Sequence, residues 1–91
     1  MATGLILIAH ADTPDTLDTR AHDALREVGH DVVLVSDGIA AIAELHGAEF
    51  DVLVLDLAVR GRDAFDVIKA ARHLSPETEI IVVADEPELN V

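Results

Sequence analysis

Val52-Leu53-Val54-Leu55-Asp56 is the stretch on which the fold turns. Four apolar residues in a row read as a strand buried on both faces, since a half-exposed strand would alternate. The run ends on a carboxylate, so it carries an acid to the rim of its sheet. Three other runs have the same character: Leu5-Ile6-Leu7-Ile8-Ala9, Val32-Val33-Leu34-Val35 and Ile80-Ile81-Val82-Val83. In chain order they are β1 (5–9), β2 (32–35), β3 (52–55) and β4 (80–83).

Helical patterns lie between these runs. Leu17, Ala21, Ala24, Leu25 and Val28 share one helical face, and Gly29 supplies a stop, which defines α1. Asp37 before Gly38 is an N-cap for α2, which runs through Ile39, Ile42 and Leu45 to Gly47. Asp63 caps α3, which carries Phe65, Ile68, Ala71 and Arg72 and ends at Leu74, before Ser75-Pro76.

Strands that alternate with helices predict an α/β fold with a parallel sheet and right-handed crossovers. The expected form is a flavodoxin-like, doubly wound sheet with strand order 2-1-3-4. The winding reverses between β1 and β3, and ligands bind such sheets beyond the strands' carboxyl ends at that reversal. The residues placed there are His10-Ala11-Asp12 and Asp56. Two carboxylates suit a hard cation such as Mg²⁺, which takes one or two carboxylates plus waters and phosphate oxygens. A carboxylate can also attack phosphorus and form an aspartyl phosphate.

Composition narrows the field. The 91 residues predict one domain over positions 1–91, and 51% hydrophobic content suits a packed core rather than disorder. Six Lys and Arg against 18 Asp and Glu leave a net charge of −12, which argues against nucleic acids and anionic membranes as partners. A cation or a basic protein surface fits better. The absence of cysteine excludes thiol catalysis, disulfides and cysteine metal sites. No apolar run approaches the ~20 residues of a membrane span, and no basic leader precedes β1, so a cytoplasmic location is expected. Phe50 and Phe65 are the only aromatic residues, too few for a base-stacking platform.

From Phe50 to Phe65 the chain resembles the phosphoacceptor segment of the receiver domains of two-component response regulators. Asp56 takes the acceptor place, Gly61 that of the loop glycine and Asp63 that of the acid after it. Gly29-His30-Asp31-Val32 and Ser36-Asp37-Gly38 also stand where the family enters its second strand and second helix. The resemblance implies phosphotransfer from a histidine kinase to Asp56, with Mg²⁺ held by Asp12, Asp56 and the backbone carbonyl of Ala58. Another signalling protein is the alternative partner.

The departures from the family pattern are specific. The acidic cluster after β1 is reduced to Asp12, with Asp15 as a distant second. The family proline before Gly61 is Arg60, and the glycine after Asp63 is Ala64. The switch hydroxyl at the end of β4 falls on Ala84, so it is lost. The sequence ends at Val91, where the family continues through a fourth helix, a fifth strand and a fifth helix. The phosphate-binding lysine of that part has no counterpart. These groups hold the charge of a transferring phosphoryl group, so Asp56 is expected to react slowly in the isolated chain. A degenerate receiver that acts only as an interaction or dimerisation module is the rival expectation.

Without its usual neighbour, β4 is expected at a sheet edge as an uninterrupted apolar run, which natural edges avoid. A homodimer through β4 or the uncovered sheet face is the expected remedy. Plainer readings stay open. Asp56 can be an ordinary strand-end acid and Asp12 the start of a turn. His10 is more simply a hydrogen-bonding strand-end residue than a ligand. The pairs His22-Asp23, on a helix face read as polar, and His30-Asp31 lack the further ligands of a metal phosphohydrolase. No glycine-rich phosphate loop follows β1, which weakens a small-ligand binder.

Overall fold

The computed structural model describes residues 4–11 and 17–83. The seven elements follow the predicted order: β1 Leu5–Ala9, α1 Leu17–Glu27, β2 Asp31–Val35, α2 Gly38–Gly47, β3 Val52–Asp56, α3 Ala64–Leu74 and β4 Glu79–Val83. The four strands form one parallel sheet in the order β2-β1-β3-β4. Asp12, Asp15 and Ala84 lie outside the described residues.

Alternation along the strands divides the core into two layers. Leu7, Ala9, Leu53 and Leu55 face one side and pack with Ala41 and Leu45 of α2 and Val67 and Ala71 of α3. Ile6, Ile8 and Val54 face the other side, where Leu25 of α1 packs against them. Both sides of β1 and β3 are therefore covered, which is why neither strand can carry a polar residue before its end.

Both predicted helix caps are present. The Asp37 carboxylate accepts from the Ala40 N–H at 2.7 Å and the Asp63 carboxylate from the Phe65 N–H at 2.8 Å. Each satisfies an amide that a helix's first turn leaves without a partner.

Three residues placed on the apolar helix faces are in fact exposed: Val28 at 65%, Ile39 at 61% and Phe65 at 66%. Val28 lies past the last residue of α1, where the chain turns at Gly29. Ile39 directly follows buried Gly38, and Phe65 directly follows buried Ala64. One residue along a helix is about 100° around it, so both side chains leave the buried stripe. The stripe of α3 is set instead by Ala64, Val67 and Ala71. His22 also departs from its expected polar setting. Its side chain is largely covered, and Nδ1 lies 3.2 Å from Asp23 Oδ1.

β4 is an outer strand among the described residues. It pairs with β3 on one side, and Ile81 and Val82 remain 52% and 46% exposed. No helix of the described residues is long and apolar enough to cross a membrane.

Candidate functional site

Parallel strands all deliver their carboxyl ends to one rim. β3 runs one residue further than its apolar run, so Asp56 is its last residue, in register with Val83 of β4. The Leu57 N–H then donates to the Val83 carbonyl at 3.0 Å. Asp56 is thus fixed by sheet pairing on the strand beside β1, where the winding reverses. The residue is 5% exposed, unusual for an ionisable group outside a site or an ion pair.

The chain supplies a donor for it. The Ala58 N–H donates to Asp56 Oδ1 at 2.8 Å, and the Val59 N–H donates to the Asp56 carbonyl at 3.0 Å. The sharp turn these bonds make holds the carboxylate in one orientation. On the β1 side, the His10 N–H donates to the Val35 carbonyl at 2.9 Å, which carries the sheet pairing one residue past β1. Ala11 is buried next to it.

Of the expected site residues, Asp56 and Ala58 stand together at the β3 end. Among the described residues, no cluster of three or more His, Asp or Glu side chains forms a metal cage. The buried Asp56 carboxylate is a hard oxygen donor of the kind Mg²⁺ takes. The two His-Asp pairs serve other ends. His22 contacts its neighbour Asp23, and His30 Nδ1 accepts from the Gly4 N–H at 3.0 Å, at the rim opposite Asp56.

The rim holds one further feature that residue type alone does not announce. The loop after Asp56 is laced to the start of α2. The Gly38 N–H donates to the Arg60 carbonyl at 2.6 Å, and Asp37 and Arg60 pair as an isolated parallel bridge. Gly61 has φ +85°, and a Cβ built on it would lie 3.2 Å from Asp37 Cβ. Gly38 is tighter still, since its Cβ would meet Arg62 Cβ and the Arg62 carbonyl oxygen at 2.6 Å. The only signal in the sequence was the pair of glycines themselves, each beside a capping acid or an arginine.

No protein-family model matches the chain. The sensory transduction protein RegX3 of Mycobacterium tuberculosis is 38% identical over 66 residues, which are 72% of this chain and 29% of that protein. The transcriptional regulatory protein TcrA of the same organism is 32% identical over 81 residues, 89% of this chain and 32% of its own length. The chain therefore spans about a third of the curated relatives it matches. Among solved structures, the receiver domain of the sensor histidine kinase PA1611 from Pseudomonas aeruginosa superposes with a TM-score of 0.77 at 25% identity. That match covers 97% of this chain and 73% of the other, and the PA1611 domain has a magnesium ion coordinated in its active site cleft. With the strand order, the acid at the end of β3 and these relatives in agreement, the chain belongs to the receiver-domain family of two-component response regulators.

Proposed function

We propose that Asp56 is the phosphoacceptor of a signalling receiver. The observation that carries this reading is a buried carboxylate at the winding reversal, oriented by the Ala58 N–H. In the transfer, an Asp56 carboxylate oxygen attacks the phosphorus of a phosphohistidine on a histidine kinase. The P–N bond breaks, and its electron pair stays on the imidazole nitrogen, which takes up a proton. The products are an aspartyl phosphate and free histidine. Mg²⁺ would be held by Asp56, the Ala58 carbonyl and Asp12, and it supplies charge neutralisation for the phosphoryl oxygens. The chain's own contribution is to fix the carboxylate at the rim and keep one oxygen engaged by the Ala58 amide.

Two identical chains fit this reading, joined through β4 or the sheet face beside it. The exposed Ile81 and Val82 on a strand that is outermost among the described residues support it. A second reading, a phosphorylation-independent interaction module, draws on Ala84, which offers no hydroxyl to a phosphoryl group.

The deciding experiment is intact-mass measurement after incubation with acetyl phosphate and Mg²⁺. One phosphoryl adduct is expected, with acetate as the leaving group, and none on Asp56→Asn. A folded wild-type chain that takes no adduct from acetyl phosphate or from a phosphorylated histidine kinase would leave the interaction module as the better reading.

A further inference from the structure

We infer that the loop from Asp56 to Asp63 is a mechanical link that carries the state of the Asp56 carboxylate to the first turn of α2. Every stage of the link is a named contact. Asp56 Oδ1 holds the Ala58 N–H at 2.8 Å. Two residues later the Arg60 carbonyl holds the Gly38 N–H at 2.6 Å. Gly61 then lies so near Asp37 that a Cβ on it would stand 3.2 Å from Asp37 Cβ, and Arg62 fills the space where a Gly38 side chain would stand. Asp37 in turn caps α2 through the Ala40 N–H, and Asp63 caps α3 through the Phe65 N–H. Both helix starts are tied to one short loop, and that loop is held at its base by the Asp56 carboxylate and by the Val59 N–H bond to the Asp56 carbonyl.

The link has little slack. At Gly38 even a methyl group would collide with Arg62, and at Gly61 a Cβ would press on Asp37. Packing this close transmits a displacement instead of absorbing it. Leu57 is anchored to β4 through the Val83 carbonyl, so a change at Ala58 cannot relax backward into the strand. It must pass forward to Arg60.

The carboxylate is the sensitive end. An ionised oxygen accepts a stronger hydrogen bond from an amide than a neutral oxygen does. Esterification of Asp56, or its replacement by Asn, therefore weakens the hold on the Ala58 N–H, which loosens the loop and with it the Arg60 carbonyl under Gly38. The output is a looser first turn of α2, which carries the exposed Ile39. The route does not use position 84, where the sequence has no hydroxyl. As a signalling device the link rests on the phosphoacceptor reading, but the coupling itself can be tested without phosphate.

The test is amide hydrogen exchange read by NMR on the 91-residue chain, in wild type, Asp56→Asn and Asp56→Ala. Asn keeps an oxygen acceptor but loses the charge, and Ala loses the acceptor. Exchange at the Gly38 amide should rise in that order, by about tenfold or more in Asp56→Ala. The His10 amide, which lies at the same rim but bonds to Val35, should hold its wild-type rate. Faster exchange at Ala58 with an unchanged Gly38 would overturn the link. Should Asp56→Ala not fold, the comparison of Asp56→Asn with wild type decides by the same criterion. The two proposals fail separately. A chain that takes no phosphoryl group but shows the Gly38 response keeps the link and loses the phosphoacceptor. A chain that is phosphorylated with a silent Gly38 does the reverse.

Discussion

Asp56 shows how a single side chain gains its surroundings from its position. Its neighbours in sequence are leucines, and its burial follows from the strand that carries it. The amide two residues on then fixes its orientation. Gly61 is the residue most exposed to substitution around it. With φ +85° it occupies the left-handed region, which costs an L-residue about 1–2 kcal/mol. Gly61→Ala adds a contact on Asp37 to that cost. It should lower stability by at least that amount, seen as a lower urea midpoint at unchanged slope. A midpoint equal to wild type would show that the loop relaxes freely. The place of Asp56 at the end of a buried strand was legible from its sequence context. The dependence of Gly61 on Asp37 was not, because the two residues meet only after β3 has been laid beside β1 and α2 has been packed across the sheet.

At the level of elements, the strands were the most legible part. β1 and β3 are apolar at every inner position because helices cover both of their faces, and that constraint is written directly in residue type. The caps were equally plain, since Asp37 and Asp63 each stand just before a helical pattern. Phasing of the first helical turns was harder. Ile39 and Phe65 are large and apolar, yet the small residues Gly38 and Ala64 take the buried places, Gly38 directly against Arg62. Hydrophobicity names the candidates for a stripe, but packing distance chooses among them. Asp37→Ala removes the cap of α2 and should cost about 0.5–2 kcal/mol in chemical denaturation. For β4, a charge is the direct probe of association. Val82→Lys should convert the proposed dimer to monomer in sedimentation equilibrium with the fold retained, as lysine on an edge strand opposes pairing. An unchanged dimer would place the interface elsewhere.

For the whole molecule, charge and reach are the relevant quantities. A net charge of −12 on 91 residues means self-repulsion across the compact state. Screening should relieve it. The melting temperature should rise by several degrees between ~10 mM and ~300 mM NaCl, as the Debye length falls from about 30 Å to below 8 Å. A flat response would mean that the acids are already paired or widely spread. The two rims of the sheet also differ in kind. At the amino rim, side chains tie down backbone directly: Asp51 accepts from the Leu5 N–H, His30 from the Gly4 N–H, and Thr78 donates to the Phe50 carbonyl. At the carboxyl rim, Asp37, Asp56 and Asp63 each accept from a backbone amide, and the loop after Asp56 is also laced to α2 backbone to backbone. The first arrangement fixes the sheet, and the second can respond to chemistry at Asp56.

The strand order β2-β1-β3-β4 has a consequence for how the protein comes off the ribosome. β1 is made first and lies inside the sheet, so each later strand can dock on an edge already waiting, first on one flank, then twice on the other. None of the four described strands has to wedge between two that are already paired. Assembly can keep pace with synthesis, because domains fold as their segments emerge at ~5–20 residues per second. A chain stalled just after α2 would already hold the β1–β2 pair, but without β3 it would lack both the acid and the loop that laces it to α2. The capacity to respond is therefore acquired late, in one step, when a single strand finds its place.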